Sequence, residues 1–543
     1  MIDQTTDPDA EQSGADTVVV LPDPDDDAPA GGRPSRRRLD PAALLDVGRW
    51  GVFLGLSALV LRPALTTAVV ADDFLIPFHQ YATGGASFRE SLHIGWTGAS
   101  AGHFNYIGQI IGAIVGWIWV QLTLHFGINF SAVFATTKFV VFMLTALAAA
   151  RFLRSAAAAI GTPVSPWRSR VYVAVALFGT LQIHVAWSND PTANYPMSGF
   201  ASAAIGLWIL ATAIDTFLDP TPRRVVTLAA LGFAGILYYE VNAAVIVAFL
   251  PLALTLAARR VNGRFALRNV VLAGIPLALP AVATVVVRLL TSPTRPEDAY
   301  SGTSISTGGT LLSTFRNAVV SGFPISAWKL TRDWLGAPFV LRVVPVAITV
   351  LVAAVLVGLA RTRPAPRPGP VRSWWLTAAV VAAPVGYWLG ATAIQAATPK
   401  VQAESSGIGY VYNYYAVAAS CIAVLLALVA LVVVPRLPEL ARTALVVGAA
   451  SFLVLQFFIS WNLTRRFNEV TLPGQQVLST YADDRPESER CAALDAWLGG
   501  SWPEYYRQDL VNGIQWAHEE YRGDPYCKRL MGETTERPAI MRG

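Results

Sequence analysis

Charge is scarce in this chain. Charged side chains fill 14% of its 543 positions and hydrophobic ones 54%, where a soluble protein carries roughly a quarter charged. Mean hydropathy is +0.45. A soluble globular class is therefore excluded, and the chain reads as an all-α polytopic membrane protein. Lysine is nearly missing: it stands only at Lys138, Lys329, Lys400 and Lys528, so arginine carries most of the net charge of +5. The arginines are scattered through short loops between apolar runs rather than gathered on one surface, which excludes nucleic acid as a partner. Also missing are a phosphate-cradling Walker loop, a dinucleotide fingerprint, a nucleophile elbow and a zinc cluster. His79, His93 and His103 share one loop without metal-binding spacing.

Cysteine is scarce too, with three in all. Cys421 lies inside an apolar run and reads as an inert core residue. Cys491 and Cys527 both lie in the polar C-terminal tail; if that tail is outside the cell, they are candidates for one disulfide.

The apolar runs fall near 46–70, 106–124, 129–150, 171–187, 198–218, 224–240, 242–258, 266–290, 338–360, 373–397, 411–434 and 442–461. A helix needs about 20 apolar residues to cross a bilayer. Ahead of the first run, residues 1–43 are acidic and Pro/Gly-rich and read as a disordered tail. They are too long and acidic to be a secretory signal. Arg36, Arg37 and Arg38 place that tail in the cytoplasm by the positive-inside rule.

The loops 151–170, 219–224, 259–268, 361–372 and 435–442 are all basic and read as cytoplasmic. This fits about eleven crossings, N-terminus inside and C-terminus outside. It leaves a parity problem between the outer loop 72–105 and the inner loop 151–170, which are separated by two apolar runs. Either 106–124 lies partly in the interface, or 151–170 breaks the charge rule. The expected organisation is a transmembrane body at 44–461 and an extracytoplasmic C-terminal region at 462–543. The outer segments 72–105 and 291–336 are long and polar; in the latter, Phe315, Val319, Val320, Phe323 and Trp328 read as an interfacial helix.

Chemistry is sought where charge survives at the outer ends of the runs. Asp72 and Asp73 close the first run, where an acidic pair is costly and does nothing for insertion, so it reads as a functional site. Glu240, in "GILYYEVNAAVIV", has apolar runs on both sides; it either faces a cavity or caps a helix hairpin. Asp190 before Pro191 is either a turn starter or a member of the site. Glu297 and Asp298 read as solvated loop charges. His103 either hydrogen-bonds a substrate or serves the structure. The outer cations Arg288, Arg316, Lys329, Arg332 and Lys400 either hold a phosphate or snorkel to lipid headgroups. Arg62, about three turns before Asp72, either pairs with an acid or reaches the interface.

"ADDF" (71–74) after the first membrane helix, a long first outer loop, about eleven crossings and an outer C-terminal region together resemble the GT-C polytopic glycosyltransferases that use polyprenyl-phosphate sugars. "LYYE" (237–240) is similar to a Tyr-Glu element of bacterial members related to the O-antigen glucosyltransferases. Actinobacterial arabinofuranosyl- and mannosyltransferases share the layout. No Trp-Trp-Asp motif of the oligosaccharyltransferases is present. The resemblance implies a GT-C-like bundle at the cell membrane, with Asp72 or Asp73 as catalytic base. Glu240, Asp190, Tyr239 and His103 would bind substrate, and Arg288, Lys329, Arg332 and Lys400 would hold phosphate. It implies a lipid-linked sugar donor, an envelope glycan or glycolipid acceptor and no required cofactor. A secondary transporter or lipid-linked-saccharide flippase is the alternative reading; it calls for ionisable groups near the bilayer midplane and broken helices. A non-catalytic scaffold is a third, and it gives the acidic pair no purpose.

Overall fold

A computed structural model of the chain describes residues 41–69, 105–181, 195–259, 263–291, 310–322, 374–403, 411–433, 437–470, 472–481, 484–499 and 504–533, together with a few isolated positions between them. The acidic tail 1–40 and the apolar run at 338–360 lie outside the described residues. The chain divides into two units, residues 1–53 and 54–543. Of the first, only the opening of helix α1 (Pro41–Leu65) is described. Among the described residues every regular element is helical and there is no strand.

The second unit continues from α1 into α2 (Tyr106–Phe126), α3 (Phe130–Ala159), α4 (Pro166–Thr180), α5 (Pro196–Leu218) and α6 (Pro222–Tyr238). A 3-10 turn at Glu240–Ala244 leads to α7 (Val245–Arg259), α8 (Gly263–Thr291) and α9 (Leu311–Ser321). Then come α10 (Trp374–Ala396), α11 (Pro399–Ala403), α12 (Val411–Val433) and α13 (Glu439–Val470). The tail holds α14 (Leu472–Tyr481), α15 (Glu487–Leu498), α16 (Glu504–Arg522) and a 3-10 turn at Lys528–Glu533.

Among the described residues six helices are long and apolar enough to cross a membrane: Tyr106–Thr123, Phe130–Ala159, Pro196–Leu218, Leu267–Val286, Thr377–Ala396 and Glu439–Glu469. The chain thus has the character of a multi-pass membrane protein. Two of the basic loops end in the same local device. Ser165 and Thr221 cap α4 and α6 by accepting from the N–H groups of Arg168 and Arg224, and each is followed by proline at the first helical position. Proline has no N–H to leave unsatisfied there, and its fixed φ suits the first turn. That device starts α4 at Pro166, inside the loop expected at 151–170, because the cap chemistry outweighs the low hydropathy of "PWRSR".

α3 and α5 run parallel. Phe142 packs edge-on against Phe200, the Thr145 hydroxyl donates to the Phe200 carbonyl, and farther along Arg151 meets Thr212 and Asp215. α10 and α7 run antiparallel, with Gly390 over Ala244 and Gly386 over Ala248. Between α12 and α4, the Tyr415 hydroxyl donates to the Thr180 carbonyl. Ala, Val, Leu and Ile from α3, α5, α7, α10 and α12 form one continuous core.

One end of this bundle collects the close of α1, the start of α3, the close of α6 and the tail. There the Thr464 hydroxyl donates to the Pro63 carbonyl, Asn468 bridges Thr66 and Ala68, and Ala193 packs with Ala68 and Phe467. α2 meets this end at two points. Gly108 lies so close to the Tyr238 carbonyl that any Cβ would overlap it. Farther along α2, Trp119 donates to Thr137 Oγ1 at 2.9 Å and packs edge-on against Phe130 and Phe134. The eleven-residue step from Gly108 to Trp119 rises about 16 Å, roughly half a hydrocarbon thickness. α2 has the length and composition of a span, and it meets the close of α6 near its start and the opening turns of α3 farther along.

The tail caps the same end. Cys491 and Cys527 are joined by a disulfide. Around it Val477, Leu494, Trp497, Ile514 and Tyr526 form a core continuous with Trp119, Val120, Phe130 and Phe134. The Gln515 side chain bonds both the N–H and the carbonyl of Cys527. Arg490 donates to the Tyr526 carbonyl and pairs with Asp524 at 2.8 Å.

Candidate functional site

The helix break at Tyr239–Glu240 is built locally. α6 stops because Tyr239 turns extended (φ −158°, ψ 123°), and the chain re-enters helix through the 3-10 turn Glu240–Ala244. A 3-10 turn has poorer hydrogen-bond geometry than an α-helix, and this one is reinforced by side chains from elsewhere. Asn242 donates through Nδ2 to the Gly235 carbonyl at 2.9 Å and accepts at Oδ1 from the Tyr387 hydroxyl at 2.7 Å. Gln395 Nε2 donates to the Tyr239 hydroxyl at 2.9 Å. The Tyr238 hydroxyl donates to the Met197 carbonyl at the start of α5. Asn242, Tyr387 and Gln395 are buried, while Tyr239 and Glu240 are half-buried. The break thus holds a carboxylate and a phenol at the edge of a sealed polar network.

Lys400 reaches this end through the continuation of α10. Thr398 donates to the Gln395 carbonyl, Gln402 donates to the Ala396 carbonyl, and the short α11 between them carries Lys400, half-buried. Gln402 also accepts from the Thr310 hydroxyl, which ties in α9 and with it the exposed Arg316. α9 supplies a helix inside the segment read as interfacial, with Phe315, Val319 and Val320 on it; Phe323 and Trp328 lie outside the described residues.

The structure therefore brings Tyr239, Glu240 and the Gln395–Lys400 stretch to one end of the bundle. Asp72, Asp73, Asp190, His103, Glu297, Asp298, Lys329 and Arg332 lie outside the described residues. Arg288 stands in the last turn of α8, and its side chain lies outside them as well. Arg62 is exposed, and its guanidinium stands over the Trp461 ring at 5.3 Å. The disulfide of Cys491 and Cys527 belongs to the tail at this end.

Four residues here escaped sequence reading. Gln395, Tyr387 and Asn242 sit inside apolar runs, where a buried polar side chain is costly unless paired; that cost was the available signal. Lys138 gave the same signal more strongly. It is fully buried, and its ammonium donates to the Ala64 carbonyl at 2.7 Å and to the Thr67 hydroxyl, with the Phe134 ring 5.0 Å away. A cation at the last carbonyls of α1 satisfies groups that the helix itself cannot and complements the negative end of its dipole.

Among the described residues no cluster of three His, Cys, Asp or Glu side chains is arranged to hold a metal ion. A half-buried carboxylate beside a phenol and a carboxamide can bind and orient a hydroxyl group, and a nearby ammonium can bind an anion. No family model, curated protein or solved structure matches the chain.

Proposed function

We propose that this chain is an integral membrane glycosyltransferase of the GT-C type. It would move a sugar from a polyprenyl-phosphate donor to an envelope glycan or glycolipid hydroxyl on the outer face of the cell membrane. The observation that carries the reading is the Tyr239–Glu240 break, which sets a half-buried carboxylate at the same end of the bundle as Lys400 and the close of α1. The described chain reaches that end three residues before Asp72.

This reading sets α2 at that end rather than through the bilayer. With α2 set aside, α1, α3 to α8, the run at 338–360, α10, α12 and α13 make about eleven crossings, which puts the five basic loops inside. The N-terminus is then cytoplasmic, and the disulfide-bearing tail is extracytoplasmic.

In this reading Asp72 or Asp73 takes the proton from the acceptor hydroxyl as its oxygen bonds to the anomeric carbon. The bond from that carbon to the phosphate oxygen breaks on the opposite face, and polyprenyl phosphate leaves, giving inversion. Lys400, with Arg288, Lys329 and Arg332, offsets the phosphate charge, and such fixed charges act where charge develops. Glu240, Tyr239, Asp190 and His103 hold the acceptor. The leaving group is already good, so one base is enough and no nucleotide site is needed.

The test uses the full chain in lipid nanodiscs with radiolabelled polyprenyl-phosphate hexose or pentose as donor and octyl glycosides as acceptors. Transfer by the wild type, lost by at least about 100-fold in Asp72→Asn or Asp73→Asn, supports the reading. Undiminished transfer in both single variants and in the double variant refutes the base assignment. Movement of the intact lipid-linked saccharide across the bilayer without transfer would establish the flippase reading instead.

A further inference from the structure

We propose that Tyr387 and Asn242 are positioning residues that set Glu240 relative to Lys400, an inference that rests on the acceptor-binding role given above to Glu240. α10 grips the helix break at two points. Tyr387 bonds Asn242, two residues after Glu240, and Gln395 bonds Tyr239, one residue before it. Tyr387 and Gln395 are eight residues apart, a little over two helical turns, so they lie on one face of α10.

Asn242 passes the constraint on to the backbone. The Gly235 carbonyl accepts from both the Tyr239 N–H at 3.0 Å and Asn242 Nδ2 at 2.9 Å, so the last turn of α6 and the 3-10 turn share one anchor. The Asn242 N–H in turn donates to the Tyr239 carbonyl at 3.0 Å. The hydroxyl of Tyr387 fits only because α5 has glycine beneath it: a Cβ at Gly206 would overlap the phenol oxygen. α10 ends at Ala396, and the bonds of Thr398 to the Gln395 carbonyl and of Gln402 to the Ala396 carbonyl tie the following α11, with Lys400, to its last turn. α10 thus grips the turn that carries the carboxylate and anchors the segment that carries the cation. The consequence for transfer is a fixed spacing between the group that holds the acceptor hydroxyl and the group that meets the donor phosphate. Precise placement of this kind is what makes a bound pair reactive.

The experiment compares wild type, Tyr387→Phe, Gly206→Ala, Glu240→Gln and a control, Thr145→Val. The control deletes an equally buried side-chain bond to a carbonyl, between α3 and α5. All are assayed as full-length chains in nanodiscs with a radiolabelled polyprenyl-phosphate sugar and an octyl glycoside that the wild type glycosylates. Tyr387→Phe and Gly206→Ala should each raise KM for the glycoside about tenfold, leave KM for the donor within about twofold, and speed hydrogen exchange across 239–245. Thr145→Val should change none of the three. Wild-type exchange over the turn in Tyr387→Phe overturns the proposal. So does an unchanged glycoside KM in Tyr387→Phe when Glu240→Gln raises it. An unchanged glycoside KM in Glu240→Gln overturns the assignment of Glu240 on which the proposal stands, whatever the exchange shows.

Discussion

Replacing Lys138 by methionine tests how the close of α1 is held. The side-chain length is nearly kept, but the Ala64 carbonyl and the Thr67 hydroxyl, both facing Nζ in the buried end of the bundle, lose their charged donor. The Thr67 hydroxyl still donates to the Ala64 carbonyl, so what is lost is two bonds to a charged group, about 1.5–3 kcal/mol each. Relief of the desolvated ammonium returns part of that, leaving a net loss of about 3 kcal/mol. The chain supplies its own reporter. Cys421 is fully buried and is the free cysteine, while Cys491 and Cys527 are bonded to each other. A thiol-reactive dye therefore labels the native chain only through unfolding that exposes α12. When reclosing is faster than labelling, the rate follows the open population, and 3 kcal/mol corresponds to about 100-fold faster labelling. A Lys138→Met chain whose Cys421 labels within threefold of the wild-type rate would refute the reasoning, because the α1 end would then be held by other contacts.

Two further predictions concern the tail. The disulfide joins residues 36 apart in sequence, a loop whose closure is worth about 4 kcal/mol in the chain-entropy account. The double variant Cys491→Ser, Cys527→Ser should therefore open 487–533 to limited proteolysis while the bundle stays resistant; unchanged cleavage rates count against it. His518 is almost fully buried against the Tyr526 ring. Burial holds its pKa below the ordinary value, opposed by its bond to the Asp524 carbonyl, with Arg490 lowering and Asp524 raising it further. The unfolded chain thus takes up a proton near pH 6.5 that the folded tail refuses. The stabilisation from His518 is complete above that pH and declines below it, by at most about 1.4 kcal/mol per pH unit. Hydrogen exchange of the tail between pH 5 and 8 should show this decline, and His518→Gln should flatten it; an equal slope in the variant excludes His518 as its source.

What could be read locally was read from local rules. Scarce charge and long apolar runs established the class, since hydrophobicity acts along the chain over one helix length. The helix start at Pro166 falls inside the loop expected at 151–170, although Ser165–Pro166, like Thr221–Pro222, is a cap-plus-proline pair that involves only the first turn. The Tyr-Glu break was legible as a charged interruption between apolar runs, and the structure gives it a 3-10 turn.

The partners were not legible. Tyr387 reaches Asn242 across 145 residues, Gln395 reaches Tyr239 across 156, and Lys138 reaches Ala64 across 74. Sequence shows that a buried Asn, Gln or Lys must find a partner, but only packing decides which one. The same holds for α2, whose twenty-one residues are long and apolar enough for a span. Hydropathy depends on composition alone, whereas direction depends on what the helix touches. Gly108 meets Tyr238 and Trp119 meets Thr137, contacts that composition does not foretell. The sequence by itself determined that this is a helical membrane protein with a carboxylate at a helix break. The tertiary structure decided which helix holds that break, because this depends on contacts between distant segments.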